Sequence, residues 1–274
     1  MTIADIDFCR LYREHMEAAG KAKPSSDWDA RAARMNRQTA AERYAQEFIA
    51  RMDLSGARTL LDVGCGNGAI CLPLAERFEQ VVGLDYSRGM LDVLEKNAQT
   101  QGHANLKTLH LAWEDDWSAV PECDIAIASR STQVRDLGAA LAKLDAKARK
   151  RVYLTHLVGG QFIDPGMLEA IGRQPPAPLP DYIYALNILH SRNIHARLDF
   201  IESDGRFSGV DSFDEFAQRV IWSQGQLDTH ELARLQAWYE RAMRAGGIPS
   251  TLRWAFISWE KAGREFFAAP QPAR

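Results

Sequence analysis

A carboxylate followed by glycines at alternate positions is the stretch of this sequence best suited to bind a ligand. Asp62 lies near the end of the apolar run 59–63, and the glycines that follow it are Gly64, Gly66 and Gly68. The run predicts a buried parallel strand, and the glycines predict a tight turn before an amphipathic helix over residues 69–78. Glycine permits positive φ and a close approach of ligand to backbone, while a helix N-terminus offers unpaired N–H groups. The pattern predicts a nucleotide-like ligand with an anionic group.

Two classes of ligand compete for this turn. Gly64, Gly66 and Ala69 satisfy the G-x-G-x-x-G/A pattern of dinucleotide-binding proteins, so the glycines alone do not decide between them. Asp62 decides, because a buried carboxylate is costly unless it receives hydrogen bonds or meets a cation. A dinucleotide phosphate would repel this carboxylate, whereas an ammonium or sulfonium group would be attracted to it. The sequence therefore favours a nucleotide-like ligand that also carries positive charge.

With that carboxylate in place, the turn resembles the first motif of the class I S-adenosylmethionine (SAM)-dependent methyltransferases, (E/D)-x-G-x-G-x-G. The motif stands complete at residues 62–68. The resemblance implies SAM as the cofactor and a Rossmann-like methyltransferase fold, which is an α/β, doubly wound, seven-stranded, mostly parallel sheet whose last strand is antiparallel. It assigns the cofactor-binding role in this motif to Asp62, Gly64, Cys65, Gly66, Asn67 and Gly68.

A second acid follows the next apolar segment. Asp85 ends the predicted strand 80–85, about twenty residues beyond the glycines, where an acid hydrogen-bonds the ribose hydroxyls in folds of this kind. A simple turn residue or helix cap is the alternative. Tyr86 and Met90 follow, and each is a candidate either for packing on the adenine or for the protein core.

The turn after the predicted strand 106–112 carries Trp113 and Glu114. In the resembled family this turn holds the adenine with a backbone N–H and an acid, so the resemblance assigns these two residues to the adenine. The family more often has Asp-Ala at these positions. Three acids in one loop are equally typical of a solvated turn.

A tryptophan and an arginine lie one helical turn apart near the N-terminus. Residues 27–32 read Asp-Trp-Asp-Ala-Arg-Ala and resemble the "yWdxRA" stretch of many small-molecule methyltransferases, where an N-terminal helix closes over SAM. The resemblance implies that Trp28 and Arg31 bind the methionine end of the cofactor. The alternative makes Trp28 a core residue and Arg31 a solvated one.

The residues that would face the methyl acceptor come from two later strands. Ser129 and Arg130 follow the predicted strand 123–128, whose carboxyl end faces the reactive methyl in the resembled family. Ser129 is therefore a cofactor candidate, and Arg130 would hold an anionic substrate, hold the SAM carboxylate or pair with a nearby aspartate. His156, near the end of the predicted strand 151–157, is a candidate base because imidazole titrates near neutrality, and a core histidine is the alternative.

The composition excludes several other functions. With 46% hydrophobic and 25% charged residues in 274, the sequence is that of a globular protein, and a net charge of −3 gives no bulk attraction to nucleic acid or anionic membranes. No apolar stretch is long enough to span a membrane, and no signal-peptide pattern is present. The four cysteines show neither C-x-x-C nor zinc spacing. We expect a cytoplasmic protein without a metal site and without nucleic-acid or membrane partners.

Three segments are predicted along the chain. An N-terminal helical cap covers residues 1–55, the SAM-binding domain covers 56–262 with a helical insertion around 204–250, and a tail covers 263–274. Five prolines between residues 159 and 180 predict a stiff surface loop beside the site.

The expected activity is SAM-dependent methyl transfer to a small molecule, with an anionic acceptor as one form of it. Residues 129–131 read Ser-Arg-Ser rather than the (N/D)-P-P-(Y/F) of amino-methylating DNA and protein enzymes, and Cys123 follows Glu122 rather than the proline of a cytosine-C5 nucleophile. Methyl transfer needs alignment and at most a base, so no catalytic dyad is required. The alternatives are a non-enzymatic SAM- or nucleotide-binding protein of the same fold and an NAD-type oxidoreductase.

Overall fold

The computed structural model describes residues 2–20, 25–32, 43–205, 207–248 and 250–261. Its strands are β1 (Thr59–Val63), β2 (Gln80–Asp85), β3 (Leu106–His110), β4 (Cys123–Ala128), β5 (Ala148–Leu157), β6 (Arg197–Asp204) and β7 (Thr251–Glu260). They form one seven-stranded sheet in the order β3-β2-β1-β4-β5-β7-β6. Neighbouring strands are parallel except that β7 runs antiparallel to β5 and β6. The predicted mostly parallel sheet with an antiparallel last strand is confirmed.

The strand order reverses beside β1, which lies between β2 and β4. In this register Asp62 is paired with Gly83 on β2 and with Ile127 on β4. A crevice opens at the carboxyl ends of parallel strands where the order reverses, because the connections on the two sides lead to opposite faces of the sheet. The topology therefore places Asp62 at the edge where ligands bind in such sheets.

Helices cover both faces of the sheet. They are α1 (Phe8–Ala19), α2 (Ser25–Ala32), α3 (Arg43–Ala50), α4 (Cys71–Leu74), α5 (Arg88–Thr100), α6 (Leu137–Lys147), α7 (Pro165–Ala170), α8 (Ile183–Ser191), α9 (Phe213–Gln224) and α10 (Thr229–Arg244). One core joins α1, α6 and α8 to the sheet, and the opposite core joins α3, α4 and α5 to it. None of these described helices is long and apolar enough to cross a membrane.

The N-terminal segment is built into both cores. Tyr12 of α1 belongs to the first core and Phe48 of α3 to the second, and both side chains are fully buried. The predicted cap over residues 1–55 thus contributes to the packing on both faces of the sheet. Its boundary as a domain stays a prediction.

A third hydrophobic cluster lies outside these two cores. It joins α7 to α9 and α10 through buried side chains such as Leu168, Phe216 and Leu235. The Arg173 guanidinium adds a salt bridge of 2.6 Å to Glu231, which is the N3 residue of the capping box of α10. The helical layer therefore includes α7, which precedes the insertion predicted around residues 204–250.

One local prediction was wrong. The helix expected over residues 69–78 is reduced to α4 and a 3-10 turn at Ala75–Arg77, because Pro73 within α4 has no amide hydrogen to donate to a longer helix.

Candidate cofactor site at the carboxyl ends of strands 1, 2 and 4

The glycine turn after β1 has the backbone conformation that the sequence predicts. The φ angles of Gly64, Gly66 and Gly68 are 68°, 54° and 89°, values that residues with a Cβ rarely adopt. A Cβ on Gly64 would lie 2.3 Å from the Cβ of Ser131, so this glycine is required by close packing. A Cβ on Gly66 would meet nothing within 4 Å. The backbone at Gly66 therefore faces open space that a ligand can enter.

Asp62 is a buried carboxylate without a partner. Its exposed fraction is 1%, and neither side-chain oxygen has a hydrogen-bond partner among the described residues. Burial raises the pKa of Asp62 to about 7, while the Cys71 side chain lowers it and the charge of Asp85 raises it further. A buried carboxylate of this kind is stabilised by a cation. The ammonium of an amino acid has the chemistry that this position lacks.

Asp85 at the end of β2 is also buried, but it has partners. One oxygen accepts the Gly66 N–H at 2.8 Å and the other accepts the Ser87 N–H at 2.9 Å. Burial raises the pKa of Asp85, and these two backbone N–H groups lower it by less. Each carboxylate oxygen can accept a further hydrogen bond, so Asp85 can hold the glycine turn and a pair of ribose hydroxyls at once.

Helix α2 is attached to the N-terminus of α5, beside Asp85. One oxygen of Asp29 accepts the Ser87 hydroxyl at 2.5 Å and the Gly89 N–H at 3.0 Å. Trp28 makes a side-chain hydrogen bond with Tyr86, whose pKa burial raises to about 12. These contacts place Trp28 next to Asp85 and the start of α5, and its contact with the methionine end of the cofactor stays a prediction.

The structure places two other predicted cofactor residues differently. The side chain of Arg31 lies outside the described part of the structure, so its predicted role is not located. Met90 is buried in the first turn of α5, and its N–H donates to the Ser87 hydroxyl at 3.2 Å. Its contact with an adenine stays a prediction.

The loop after β3 is tied to the end of β2 and to the segment that follows β4. Leu111 N–H donates to the Asp85 carbonyl at 3.1 Å, and the Trp113 indole N–H donates to the Ser131 carbonyl at 3.0 Å. The Trp113 ring stacks on Trp117 at 5.2 Å between centroids, while Glu114 is exposed. The two predicted adenine residues thus lie on a fixed loop next to the crevice.

At the end of β4 a cluster of hydroxyl groups surrounds Tyr44 of α3. The Tyr44 hydroxyl lies 2.9 Å from the Ser129 hydroxyl and 2.6 Å from the Thr155 hydroxyl. The Arg130 N–H donates to Thr155 Oγ1 at 2.9 Å, and the Arg130 guanidinium lies 4.2 Å from the Tyr44 ring centroid. Ser129 and Arg130 are therefore brought together with a buried tyrosine from the N-terminal segment.

His156 lies in the core rather than in the crevice. Its exposed fraction is 0%. Nδ1 lies 2.7 Å from Thr132 Oγ1, and Nε2 lies 3.2 Å from the Pro180 carbonyl. Burial lowers the pKa of His156 to about 4, so the ring is neutral at pH 7. This geometry matches the alternative of a hydrogen-bonded core histidine that holds the end of the proline-rich loop.

Sequence reasoning missed three residues of this site. Asp29, Tyr44 and Thr155 make hydrogen bonds to partners that are 58, 85 and 25 positions away in the chain, respectively. Asp29 had a local signal, because it stands beside Trp28 in the stretch that drew attention to α2. No local pattern of the sequence marked Tyr44.

Comparisons with known proteins agree with this geometry. A family model described as a methyltransferase domain matches residues 60–150. An uncharacterised protein of Haemophilus influenzae is 40% identical over 266 residues, which cover 94% of this chain and 98% of that protein. The chain belongs to the class I S-adenosylmethionine-dependent methyltransferases.

Other methyltransferases match in part or in fold. The ubiquinone biosynthesis O-methyltransferase of Sinorhizobium medicae is 30% identical over 95 residues, which cover 35% of this chain and 38% of that enzyme. A methyltransferase structure from Thiobacillus denitrificans in complex with S-adenosylhomocysteine (SAH) superposes with a TM-score of 0.52 at 14% identity and covers 87% of this chain and 98% of that chain. A coclaurine N-methyltransferase structure superposes with a TM-score of 0.51 at 12% identity, with 94% and 96% covered. These superpositions establish the methyltransferase fold.

The cofactor of this methyltransferase family is SAM, and the crevice fits it on two observations. The buried carboxylate of Asp62 lacks the cation that would balance it, and the open space over Gly66 leaves room beside the backbone. No group of three metal-ligating side chains occurs among the residues that the structure describes.

Proposed function

We propose that this methyltransferase transfers the methyl group of SAM to a small-molecule acceptor. The observation that carries the proposal is Asp62, because a fully buried carboxylate without a partner is explained by a ligand that brings a cation. When bound, SAM supplies a methyl group on a positively charged sulfur. NAD, the ligand of the alternative reading, brings a pyrophosphate that this carboxylate would repel.

The residues of the chain have separate parts in this proposal. Asp85 would bind the ribose hydroxyls, and the N–H groups of the glycine turn would face the cofactor over Gly66. Trp113 and Glu114 would border the adenine. Transfer of a methyl group depends on the alignment of donor and acceptor. The fixed loops at the ends of β2, β3 and β4 would hold the cofactor and the acceptor in that alignment.

A small acceptor is supported by the charge of the chain and by the site's surroundings. A net charge of −3 offers little attraction to a nucleic-acid backbone. The helices α7, α9 and α10 follow the carboxyl ends of β5 and β6 and share a hydrophobic cluster of their own, which suits them to enclose a small molecule. The expectation of an anionic acceptor depends on Arg130 alone.

The cofactor part of the proposal is tested by isothermal titration calorimetry with SAH. Gly66→Ala puts a methyl group into the open space at a φ of 54°, and Gly102→Ala puts one into open space at a φ of 77° in the turn after α5. Both substitutions strain the backbone, so we expect only Gly66→Ala to lose SAH affinity, by about tenfold or more. Equal losses, or binding of NAD instead of SAH by the unmodified protein, would overturn the proposal.

The acceptor part is tested with methyl-labelled SAM. The protein is incubated with separate small-molecule, RNA and protein fractions of a cell extract, and we expect label in the small-molecule fraction only. Label in RNA or protein would refute the small-molecule acceptor. SAH binding without transfer to any fraction would favour the non-enzymatic SAM-binding alternative.

A further inference from the structure

Two opposite charges act on the buried Tyr44 side chain. The Arg130 guanidinium is 4.2 Å from the Tyr44 ring centroid. Burial raises the pKa of the Tyr44 phenol; Arg130 opposes this rise and the charge of Asp62 adds to it. Both charged groups are therefore close enough to Tyr44 to act on it electrostatically.

The backbone brings these two residues to the same edge of the sheet. Asp62 is paired with Ile127 of β4, and the chain continues from β4 through Ser129 to Arg130. At the next residue the Ser131 hydroxyl donates to the Val63 carbonyl at 2.7 Å, which ties this segment to the end of β1. Arg130 thus lies in the segment that is bonded to the end of the strand that carries Asp62.

Arg130 is held in an unusual conformation. Its φ is 55°, one of two positive values among the described residues that are not glycine. The left-handed region of φ/ψ space is unfavourable for arginine. Such conformations persist where surrounding contacts fix them, often at functional sites. Here the fixing contact is the hydrogen bond from the Arg130 N–H to Thr155 Oγ1 at 2.9 Å.

Tyr44 is equally fixed. The exposed fraction of its side chain is 2%, and its hydroxyl is bound by the hydroxyls of both Ser129 and Thr155. The ring therefore gives the guanidinium a rigid surface to lie on, and a cation above an aromatic face is stabilised by the ring's quadrupole. The guanidinium is positioned before a ligand arrives.

We infer that Asp62 and Arg130 form a clamp for the α-amino acid group of the cofactor, in which Asp62 binds the ammonium and Arg130 binds the carboxylate. Tyr44 and Thr155 are positioning residues for Arg130. The inference rests on the proposed function and deepens it. It also gives Arg130 a cofactor role, so a negative charge on the acceptor is no longer required.

Three adenosine ligands separate the two halves of the clamp. SAH carries both the ammonium and the carboxylate, S-adenosyl-3-thiopropylamine keeps only the ammonium, and 5′-methylthioadenosine has neither. Calorimetry with Arg130→Gln should show a loss of about tenfold or more for SAH, since a charge-assisted hydrogen bond is lost. The other two ligands should bind as they do to the unmodified protein.

Three further variants show which group causes a loss of ligand affinity. Asp62→Asn should weaken SAH and S-adenosyl-3-thiopropylamine but leave 5′-methylthioadenosine unchanged. Tyr44→Phe keeps the ring but removes the hydroxyl that anchors it, so we expect a smaller loss for SAH alone. Arg135→Gln is the matched control, because Arg135 lies in the same segment with its side chain 82% exposed.

Two results would overturn the clamp. Unchanged SAH affinity in Arg130→Gln would place the guanidinium outside the cofactor site, and equal losses for all three ligands would show that it supports the fold instead. Either result leaves the proposed function standing as long as the unmodified protein binds SAH. An unmodified protein that does not bind SAH would refute the proposed function itself.

Discussion

Asp62 and Asp85 occupy similar places in the fold but differ in their hydrogen-bond partners. Each lies near the carboxyl end of a buried parallel strand, and their exposed fractions are 1% and 6%. Asp85 accepts two backbone N–H groups, whereas neither oxygen of Asp62 has a partner among the described residues. One carboxylate therefore supports the folded chain, while the other is costly to the chain unless a ligand neutralises it.

This difference indicates that the two ends of the crevice bind a ligand in different ways. The end near β2 is already assembled, since Asp85 holds the glycine turn and Asp29 holds the start of α5. At the end near β1 and β4 the carboxylate of Asp62 has no hydrogen-bond partner among the described residues. We expect the nucleoside half of a ligand to meet a formed surface and the amino acid half to supply a missing charge.

The largest expected effect is on stability. The pKa of Asp62 rises from 3.8 to about 7 on folding, so between these values the folded state holds a proton that the unfolded state releases, and stability falls as pH rises through that window. At 1.36 kcal/mol per pH unit the fall between pH 5 and pH 7 is about 3 kcal/mol. Asp62→Asn should lack this dependence, as measured by urea unfolding from pH 5 to pH 8 without ligand.

The equivalent substitution at Asp85 tests the difference between the two acids. Burial raises the pKa of Asp85 as well, but Asp85→Asn also turns an amide NH2 toward one of the two backbone N–H groups that the carboxylate accepts. This lost hydrogen bond should lower the free energy of unfolding at pH 8, where Asp62→Asn should raise it. The same sign for both variants at pH 8 would contradict the difference between the two sites.

The next effect is on nucleoside affinity. Asp85→Ala removes a charged acceptor that we expect to bind the ribose, so affinity for both SAH and 5′-methylthioadenosine should fall by about 1.5–3 kcal/mol. Asp62→Asn should spare 5′-methylthioadenosine. Calorimetry measures the affinity of both variants for both ligands. If Asp85→Ala lost affinity for SAH alone, Asp85 rather than Asp62 would be the acid that binds the amino acid half of the ligand.

A smaller effect is the exchange of protons on binding. An ammonium next to Asp62 favours its ionised form, so SAH binding should release a proton from most molecules at pH 6 and from few at pH 8. Calorimetry in buffers of different ionisation enthalpy measures this number. Asp62→Asn should show no release at pH 6, whereas release that persists in this variant would assign the proton to Asp85 or another group.

The smallest effect concerns the attachment of α2. Asp29→Ala removes the acceptor of the Ser87 hydroxyl and the Gly89 N–H, so we expect faster hydrogen exchange in α2 and in the first turn of α5, and a loss of about threefold in SAH affinity. Asp7→Ala is the control, because Asp7 caps α1 in the same way through the Arg10 N–H. Similar changes in both variants would separate α2 from the site.

Ligand binding should protect the same elements. We expect SAH to slow exchange in α2 and in the proline-rich loop together, because lids at a crevice close on their ligand. The loop end is already tied to the core through the Pro180 carbonyl, which faces His156 and accepts a bond from Gln133. Exchange in α2 that is equally slow with and without SAH would identify a static helix.

The parts of the fold that the sequence predicted are those with local causes. Apolar runs predict parallel strands, and the glycines after Asp62 predict the turn because positive φ is a property of single residues. The hydrogen bond between Tyr44 and Thr155 joins residues 111 positions apart, and no local pattern carries that information. Asp29 shows the same limit, because the sequence around it does not identify the helix whose N-terminus it caps.

The placement of Trp28 and His156 depended on tertiary packing. Trp28 was expected at the methionine end because of its residue type, and the hydrogen bond between Asp29 and Ser87 attaches its helix to the start of α5. His156 is near a strand end, as a base would be, and yet the Pro180 carbonyl and the Thr132 hydroxyl enclose it. In both cases the deciding contacts come from distant segments.

The separate hydrophobic cluster of α7, α9 and α10 has an evolutionary consequence. Side chains such as Leu168, Phe216 and Leu235 pack against one another rather than against the sheet, so substitutions among them need not disturb the strands that hold Asp62 and Asp85. Descendants of one ancestral protein could therefore diverge in acceptor while inheriting the same cofactor crevice. Exchange of residues 165–171 together with 207–248 between relatives is the corresponding route to altered acceptor choice by recombination.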